Sequence, residues 1–552
     1  MPSVMPPSPG LEAIILCGPG VSLNTFTSSP SEFPKALVPI ANRPMVWYPL
    51  DWCYRMAVTK ITLITAPESQ AALQTALQTH PALTSLPNPR PEILAPEGLS
   101  MTTGTGELLR LEEVRAAIET DFVVLPCDLV SEIDGSKLVE QWLSLNPFKF
   151  SESSSDRSGG LGVFYPTYGW EGISHKKDET DFLATVSISA PKVPPPATSL
   201  RGNIEQIVMT MPTDTLSDKT EAGAGHLRLR QSLLSKHGRV KLKMKHRDAH
   251  VYIFPRWVLD FAAENETFDS ISEDLMGCWA KAGWQTRLAD RLGLDGVFRN
   301  ANGGPKDDDS TTQSLLTPSY LSTTNTNLPS QHTDSDASAP RISSASSPKF
   351  TSPPLQTPPL HVYIHPQASS HLVRRIDTAH ALLDVSLYLA KTTVWPTHPL
   401  AHEHRIHPTT TLEPQARVSE ADSLVGENVR LGSRCSIRES IIGANCEIGC
   451  SARLVRCLLM DGATVGHGCV LTGCIVGPRA RIEAPARVCS GEPGKKKVAW
   501  EDDMEKTQLT NCEVAPYFVV DAGTEATGEK FMGFDTSEDK SETDEVEDEA
   551  QA

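Results

Sequence analysis

Histidine and cysteine are the residue types in this chain that could most directly support metal binding or catalysis. Four histidines lie close together in the sequence, namely His398, His402, His404 and His407. No regular helix or strand spacing brings them onto one face, so we predict no metal site there. Seven of the 12 cysteines lie between Cys435 and Cys489, and no Cys-x-x-Cys pair occurs. We therefore predict free, packed cysteines rather than disulfides or a zinc site.

A 17-residue repeat between Val425 and Val488 predicts the element that holds these cysteines. Branched aliphatic residues recur at steps of six, six and five residues. They form three columns: Val425, Ile442, Leu459 and Val476; Leu431, Ile448, Val465 and Ile482; and Ile437, Leu454, Leu471 and Val488. Neither the helix period of 3.6 nor the strand period of two explains a six-residue step. We predict a left-handed parallel β-helix of hexapeptide repeats over residues 411–490, with one branched side chain per side pointing inward.

Such a coil serves either as a catalytic acyltransferase or as a rigid spacer and assembly surface. The acyltransferase interpretation needs a histidine base at a subunit cleft, and His467 is the only histidine within the predicted coil. A single exposed histidine at a corner is usually not catalytic, so we favour the assembly interpretation and turn to the rest of the chain.

Composition limits the classes to which this protein can belong. The 552 residues suggest three or four domains, and a hydrophobic share of 39% indicates unfolded stretches. The net charge of −18 argues against general nucleic-acid binding, which needs a positive field. The sequence contains no secretory signal pattern and no apolar run long enough to cross a bilayer. We therefore predict a soluble, cytosolic protein with no membrane partner and no direct nucleic-acid partner.

The chain divides into six predicted regions. They are an N-terminal tail (1–10), an α/β domain (11–300), a disordered Ser/Thr/Pro-rich linker (301–359), a connecting segment (360–410), the β-helix (411–490) and an acidic C-terminal tail (491–552). The linker has few large apolar residues to offset its chain entropy. The tail carries nine acidic residues between Asp535 and Glu549 and is predicted to be solvated and disordered.

Alternating strand and helix patterns define the α/β domain. Short buried strands are predicted at Ala13–Cys17, Ile61–Thr65 and Phe122–Leu125, and helices at Pro67–Thr79 and Glu107–Ile118. The spacing suits parallel crossovers. In the connecting segment, helical periodicity runs over Ser369–Leu389.

The segment Val240–Lys245 alternates with period two, with three lysines facing one way and three apolar side chains the other. We interpret it as a half-buried strand with a solvated lysine face. The alternative is a docking strip for an acidic partner.

Four segments of the predicted α/β domain resemble the sugar-nucleotide pyrophosphorylases. They are the loop Cys17–Ser22, the segment Pro34-Lys35-Ala36-Leu37-Val38-Pro39, the loop Thr103-Gly104-Thr105-Gly106, and Asp128 after the third strand. In that family the first loop cradles nucleotide phosphates, a lysine neutralises charge, the second loop contacts the base and the aspartate binds magnesium. The resemblance implies a Rossmann-like nucleotidyltransferase fold with a nucleotide cleft outlined by Gly18, Gly20, Lys35, Gly104 and Asp128.

The first loop departs from the family pattern Gly-Gly-x-Gly-Thr-Arg. Cys17 replaces the first glycine, Val21 the threonine and Ser22 the arginine. Pro19 also removes one N–H donor from the loop. Losing one preorganised charge contact on a reacting phosphate costs about 3–4 kcal/mol in the transition state. We therefore expect no catalytic residues, no metal and no cofactor beyond weak nucleotide binding in a vestigial cleft.

An altered pyrophosphorylase-like domain followed by a β-helix resembles the gamma-subunit family of eukaryotic translation initiation factor 2B. The segments Pro126–Val130, Arg247–Tyr252 and Ser270–Leu275 also match that family. The resemblance implies a non-catalytic subunit of a guanine-nucleotide exchange factor that acts on initiation factor 2. The implied partners are the epsilon subunit first, then the alpha, beta and delta subunits. The alternative is an active sugar-1-phosphate nucleotidyltransferase, for example a mannose-1-phosphate guanylyltransferase.

Overall fold

The structure is a computed structural model that describes residues 9–18, 21–100, 102–147, 158–170, 172–174, 178–196, 198–294, 297, 357–367, 369, 371–391, 398, 400–484 and 506–533. The predicted disordered linker up to residue 356 and the acidic segment 534–552 lie outside the described residues, as do Gly20 and Val488.

A nine-stranded sheet forms the centre of the α/β domain. Its strands are β1 (Glu12–Cys17), β4 (Lys60–Thr65), β5 (Glu92–Leu94), β6 (Phe122–Pro126), β8 (Gly160–Pro166), β9 (Asp181–Ser187), β10 (Ile204–Pro212), β11 (Lys241–Phe254) and β12 (Leu360–Ile364). Their order across the sheet is β5-β4-β1-β6-β11-β8-β12-β10-β9, and β2 (Pro39–Ile40) and β3 (Arg43–Pro44) form a separate two-stranded sheet. The three predicted strands are confirmed, and β1 pairs in parallel with both β4 and β6. These crossovers confirm the predicted nucleotidyltransferase-like fold class.

Helices cover both faces of this sheet. They are α1 (Trp47–Arg55), α2 (Pro67–Thr79), α3 (Pro81–Thr84), α4 (Thr105–Leu108), α5 (Glu112–Ala117), α6 (Gly135–Leu145), α7 (Thr213–Ala222), α8 (Gln231–His237), α9 (Trp257–Glu264), α10 (Met276–Ala282), α11 (Thr286–Arg291) and α12 (Ala379–Lys391). A π-helix, Ile271–Leu275, precedes α10. The helix predicted at Glu107–Ile118 is instead α4 and α5, with extended backbone at Leu111 between them. The break lets Leu109 and Val114 both reach the core, although on a continuous helix they would lie roughly 140° apart.

Residues 360–391 complete the α/β domain instead of merely connecting it to the coil. Strand β12 lies between β8 and β10 inside the main sheet. The next strand, β13 (Val373–Arg375), pairs antiparallel with β7 (Leu129–Ser131). The helix predicted over Ser369–Leu389 therefore begins only at Ala379, because the residues before it are extended and hydrogen-bonded to β7.

Strand β11 includes the predicted segment Val240–Lys245 from Lys241 onward, but its apolar face is not buried. Leu242 and Met244 are 52% and 51% exposed, which contradicts the half-buried interpretation. The start of β11 extends beyond β8, so these residues pair only with β9. On the other face, Lys241 and Lys243 form ion pairs with Glu205.

Three six-stranded parallel sheets form the coil, which confirms the predicted left-handed β-helix. The first contains Thr411–Leu412, Arg430–Leu431, Glu447–Ile448, Thr464–Val465, Arg481–Ile482 and Val519–Val520; the second contains Arg417–Val418, Ser436–Arg438, Arg453–Val455, Val470–Thr472, Gln508–Thr510 and Glu525–Thr527; the third contains Leu424–Val425, Ile441–Ile442, Leu458–Leu459, Ile475–Val476, Glu513–Val514 and Lys530–Phe531. The described members of the predicted columns are buried in register inside the coil. Cys446, Cys457 and Cys474 are packed there as predicted.

The coil continues past the predicted boundary at residue 490. Residues 506–533 were predicted to belong to a disordered tail, and this prediction is wrong, because their strands stack on the preceding coils. Leu509 aligns with Leu471 and continues the column of inward residues. The spacing from Val514 to Val520 and on to Ala526 repeats the six-residue step. The interruption between Ile482 and Leu509 hid this continuation from the periodicity.

The coil packs directly against the α/β domain. Leu424, Ile441, Leu458 and Ile475 of the third sheet belong to the same hydrophobic core as α1, α6 and α12. The Asn42 side chain donates a hydrogen bond to the Ile442 carbonyl at 2.8 Å, and Arg456 forms an ion pair with Asp384 of α12 at 2.5 Å. Within the described part of the chain, no helix is long and apolar enough to cross a membrane.

Candidate functional site

A cavity of about 330 Å³ lies beyond the carboxyl ends of β1 and β4. Cys17 and Gly18 line it from β1, Thr65 from β4, and Thr105 from the start of α4. Ligands in open α/β sheets bind at this edge, because the strand ends and the following helix N-termini leave a crevice there. The predicted site residue Gly18 therefore borders the cavity.

The electrostatics of this cavity do not favour a polyphosphate. Among its described lining residues the only charged side chains are Glu68 and Glu97, and none is basic. A triphosphate needs cationic partners or aligned N–H donors. The cavity thus suits an uncharged or weakly charged group better than a phosphate chain.

Gly104 has a structural reason to be glycine. A Cβ atom at this position would lie 2.1 Å from the Asp269 carbonyl oxygen. The loop is held against that segment because the Gly106 N–H donates to the Asp269 carbonyl at 2.8 Å and the Ile271 N–H donates to the Thr105 hydroxyl at 3.0 Å. This close backbone approach explains the glycine without any contact to a base.

Lys35 and Asp128, two other predicted site residues, meet in an ion pair behind the cavity. The Lys35 Nζ lies 2.8 Å from the Asp128 Oδ2, and the side chain of Asp128 is 1% exposed. Helical residues Lys35–Leu37 and the tight turn after β6 place the two groups face to face. The structure therefore brings these two residues together, but as partners of each other.

Arg375 of β13 completes this cluster, and the sequence analysis did not identify it. Its Nε lies 3.3 Å from the Asp128 Oδ1 and its Nη2 lies 3.4 Å from the Asp128 Oδ2. Burial alone would raise the pKa of Asp128, but the charges of Arg375 and Lys35 hold this pKa well below its usual range. A possible sequence signal was the pair Arg374-Arg375, which the apolar residues Leu372, Val373 and Ile376 flank directly.

The arrangement leaves no room for the magnesium ion that the pyrophosphorylase resemblance implies. Both carboxylate oxygens of Asp128 already accept hydrogen bonds from cationic groups. Magnesium would require octahedral oxygen ligands, at least one of them anionic and free. Within the described ranges, no group of three or more His, Cys, Asp or Glu side chains could hold a metal ion. The residues present do not fit the metal.

Two further carboxyl groups lie near the cluster, of which Asp248 is buried and Asp181 is partly buried. Asp181 accepts a hydrogen bond from the Asp248 N–H at 2.7 Å, and Asp248 accepts from Tyr252. Burial raises the pKa of Asp181 to about 6, while burial and the nearby Asp181 raise the pKa of Asp248 to about 7. Unlike Asp128, these two carboxyl groups are partly protonated near neutral pH.

The histidines considered for chemistry have other environments. His467 is exposed at a corner of the coil, where its Nδ1 accepts a hydrogen bond from the Cys450 N–H at 2.9 Å. His398 lies 3.2 Å from Glu132, and His402 is partly buried, which lowers its pKa to about 3. The absence of a metal site at these histidines stays a prediction.

Comparisons with known proteins agree with this architecture. A family model described as the GMPPB C-terminal domain matches residues 420–524, which lie within the coil and extend beyond residue 490. The chain is 28% identical over 292 residues to a protein of Schizosaccharomyces pombe named translation initiation factor eIF2B subunit gamma. The match covers 53% of this chain and 56% of that protein, so the chain spans about half the length of this curated relative. The resemblance predicted from the sequence is confirmed.

Proposed function

We propose that this chain is a non-catalytic subunit of the translation initiation factor 2B complex in the cytosol. Similarity to a protein named as its gamma subunit supports the membership. The neutralisation of Asp128 by Lys35 and Arg375 supports the absence of catalysis. Both the metal ligand and the phosphate-binding lysine expected in a pyrophosphorylase are occupied by contacts within the chain.

The energetic cost of reopening this site supports the proposal. A metal–nucleotide complex would have to separate buried charges that now satisfy one another. Removing one partner from a buried ion pair costs about 3–5 kcal/mol, because the remaining charge stays desolvated. That cost would add to the loss of the loop arginine and the presence of Pro19. Turnover as an active guanylyltransferase would require rearrangement of the β7–β13 pair.

The coil is suited to an architectural role. Among the described residues, each of its six-stranded sheets has an edge strand at either end of the coil, and its third sheet is fixed to the α/β domain. In our proposal the chain pairs first with the epsilon subunit, and that pair joins the alpha, beta and delta subunits. The assembly then promotes exchange of GDP for GTP on initiation factor 2, and this chain supports the catalytic partner.

Two measurements on the purified full chain test the proposal. Affinity purification from the native cytosol should recover the epsilon subunit and initiation factor 2. Incubation with sugar 1-phosphates, nucleoside triphosphates and magnesium should release no pyrophosphate above background. A stable homo-oligomer that recovers neither partner, or robust turnover with any substrate pair, would overturn it in favour of an active nucleotidyltransferase.

The cavity at the strand ends supports weak binding of a nucleotide through its nucleoside part. Calorimetric titration with GTP, GDP and ATP should give affinities that do not change when magnesium is removed with EDTA, because Asp128 has no free oxygen for the ion. If no nucleotide produces heat on titration, the cleft is vestigial and binds none of the three nucleotides. A strong dependence of these affinities on magnesium would contradict the interpretation that Lys35 and Arg375 occupy both oxygens of Asp128.

A further inference from the structure

A second cavity, of about 530 Å³, lies between α7, α8, α10 and α11, at the opposite end of α10 from the Thr105 loop. Five basic side chains line it: Lys219, Arg228, Arg230, Lys281 and Arg291. No acidic residue is among its described lining residues. We call this cavity the basic cleft. In a chain whose net charge is −18, it is a local reversal of charge.

The cations of the basic cleft lack carboxylate partners. None of the five forms an ion pair among the residues that the structure describes, whereas Lys241 and Lys243 nearby both pair with Glu205. Arg230 donates to the Gln285 side chain at 3.1 Å, which leaves its charge uncompensated. Burial and the like charge of Lys219 lower the pKa of Lys281. The clustered charges repel one another, so an anionic ligand would relieve that repulsion.

The floor of the basic cleft is apolar and rigid. Leu233 is fully buried there, and Trp284 is 8% exposed. The Trp284 Nε1 donates to the Val208 carbonyl at 2.7 Å, which fixes the ring against β10. A single phosphate would meet only some of these cations and would leave the apolar floor uncovered. An acidic peptide with several carboxylates around one apolar side chain matches both the cations and the floor better.

We propose that the basic cleft binds the acidic C-terminal segment of this same chain, residues 535–549. This segment carries nine acidic residues, and Val546 lies between Glu545 and Glu547. Its charge complements the five cations, and the valine side chain suits the floor beside Trp284. Shorter acidic runs occur at Asp307–Asp309 and Glu501–Asp503, but the tail has the most carboxylates, which makes it the occupant of choice.

The last described strand before this segment is connected by contacts to the elements that lead into α10. Lys530 contacts Glu513 at 3.3 Å, and Glu513 accepts a hydrogen bond from Thr25 at 2.7 Å. The chain thus leaves the coil beside the loop that follows β1. Pro30 of that loop and Thr105 line the same cavity, and Thr105 contacts the π-helix that leads into α10.

The length of the segment is sufficient for this path. Val546 lies thirteen residues after Gly533. This stretch spans up to about 45 Å when extended, which is comparable to the diameter of a domain of this size.

The test uses the full chain and a fluorescein-labelled synthetic peptide with the sequence of residues 534–552. Fluorescence anisotropy compares the native chain with a neutral-tail chain, in which each of the nine tail carboxylates is changed by Asp→Asn or Glu→Gln. The peptide should bind the neutral-tail chain at least tenfold more tightly, because the attached tail no longer competes. Raising the ionic strength should weaken this binding.

Cleft variants in the neutral-tail chain locate the binding site. Arg228→Glu with Lys281→Glu should weaken peptide binding at least tenfold, and the milder pair Arg228→Gln with Arg291→Gln should weaken it about threefold. Arg417→Glu with Arg481→Glu, which changes the same charge on the exposed face of the coil, is the matched control and should have no effect. Equal affinity of the native and neutral-tail chains would overturn the tail as occupant. Unchanged affinity in both cleft variants would overturn the cleft as the site.

Zero-length carbodiimide cross-linking of the native chain gives a second measurement. Tail carboxylates should couple to Lys219 or Lys281 within one chain. Coupling only to lysines elsewhere would also overturn the proposal.

Discussion

The interiors of the coil and of the α/β domain bury very different groups. Leu454 and Leu471 stack in register inside the coil, together with buried cysteines. At the strand ends of the α/β domain, the buried centre is instead a carboxylate held by two cations, Asp128 with Lys35 and Arg375. The coil interior depends on shape and apolar area, so each turn resembles the next. The ionic centre depends on a complete set of partners, so one change affects all of its members.

The largest effect is expected when the ionic centre loses its anion. Asp128→Asn keeps the side-chain shape but leaves two buried cations facing an amide. We expect the free energy of unfolding to fall by about 3–5 kcal/mol, measured by urea denaturation of the full chain. Asp260→Asn is the control, because its ion pair with Arg115 is partly exposed and worth at most about 1 kcal/mol. If the two substitutions lower the free energy of unfolding equally, the buried ion cluster contributes no more to stability than the partly exposed ion pair.

A substitution inside the coil should cost slightly less. Leu454→Ala removes a fully buried side chain between two neighbouring coils and should lower the free energy of unfolding by about 2–5 kcal/mol. Leu412, which is 55% exposed at the first coil, gives the matched control, and Leu412→Ala should cost less than about 1 kcal/mol. Similar values for both would show that the coil does not bury its column residues as described.

The two regions also differ in how far the sequence predicts them. The six-residue steps of Ile437 and Leu454 identify the coil because each strand pairs with a neighbour 17 residues away. The strand pattern likewise places Lys35 and Asp128 at one edge of the sheet. It could not identify Arg375, because this residue is 247 positions from Asp128 and pairs with it only through the β7–β13 ladder. The last coil strands were missed for a related reason, since an interruption breaks the local period.

The two regions should respond differently to pH. The folded-state pKa of Asp248, about 7, lies above its unfolded value, so the native state binds the additional proton. Its stabilising effect is complete below about pH 4 and is lost as the pH rises through 7, at roughly 1 kcal/mol per pH unit or somewhat less. Histidines such as His361 and His402, whose pKa values burial lowers to about 4 and about 3, change stability in the opposite direction over this range, so the Asp248 contribution is measured as a difference between two chains. Relative to Asp248→Asn, the stability of the native chain should fall by about 2 kcal/mol from pH 5 to 7, measured by urea denaturation of both chains. Parallel pH profiles of the two chains would assign the titration to other groups.

The smallest expected effect concerns the contact that joins the two regions. Asn42 has a positive φ of 61°, which glycine tolerates without strain, so Asn42→Gly removes only the hydrogen bond to the Ile442 carbonyl. We expect a loss of about 1 kcal/mol in the free energy of unfolding, the net value of one hydrogen bond, because the Ile442 carbonyl still accepts from the Gly426 N–H at 2.8 Å. Asn445 is the matched control, since it also has a positive φ, of 56°, but lies exposed within the coil, and Asn445→Gly should change stability by less than about 0.5 kcal/mol.

If the regions unfold together, Asn42→Gly should shift a single denaturation transition that both near-ultraviolet absorbance and far-ultraviolet circular dichroism report. Separation into two transitions, with the coil unaffected by the substitution, would show that the apolar contacts of Leu424 and Ile441 do not couple the coil to the α/β domain.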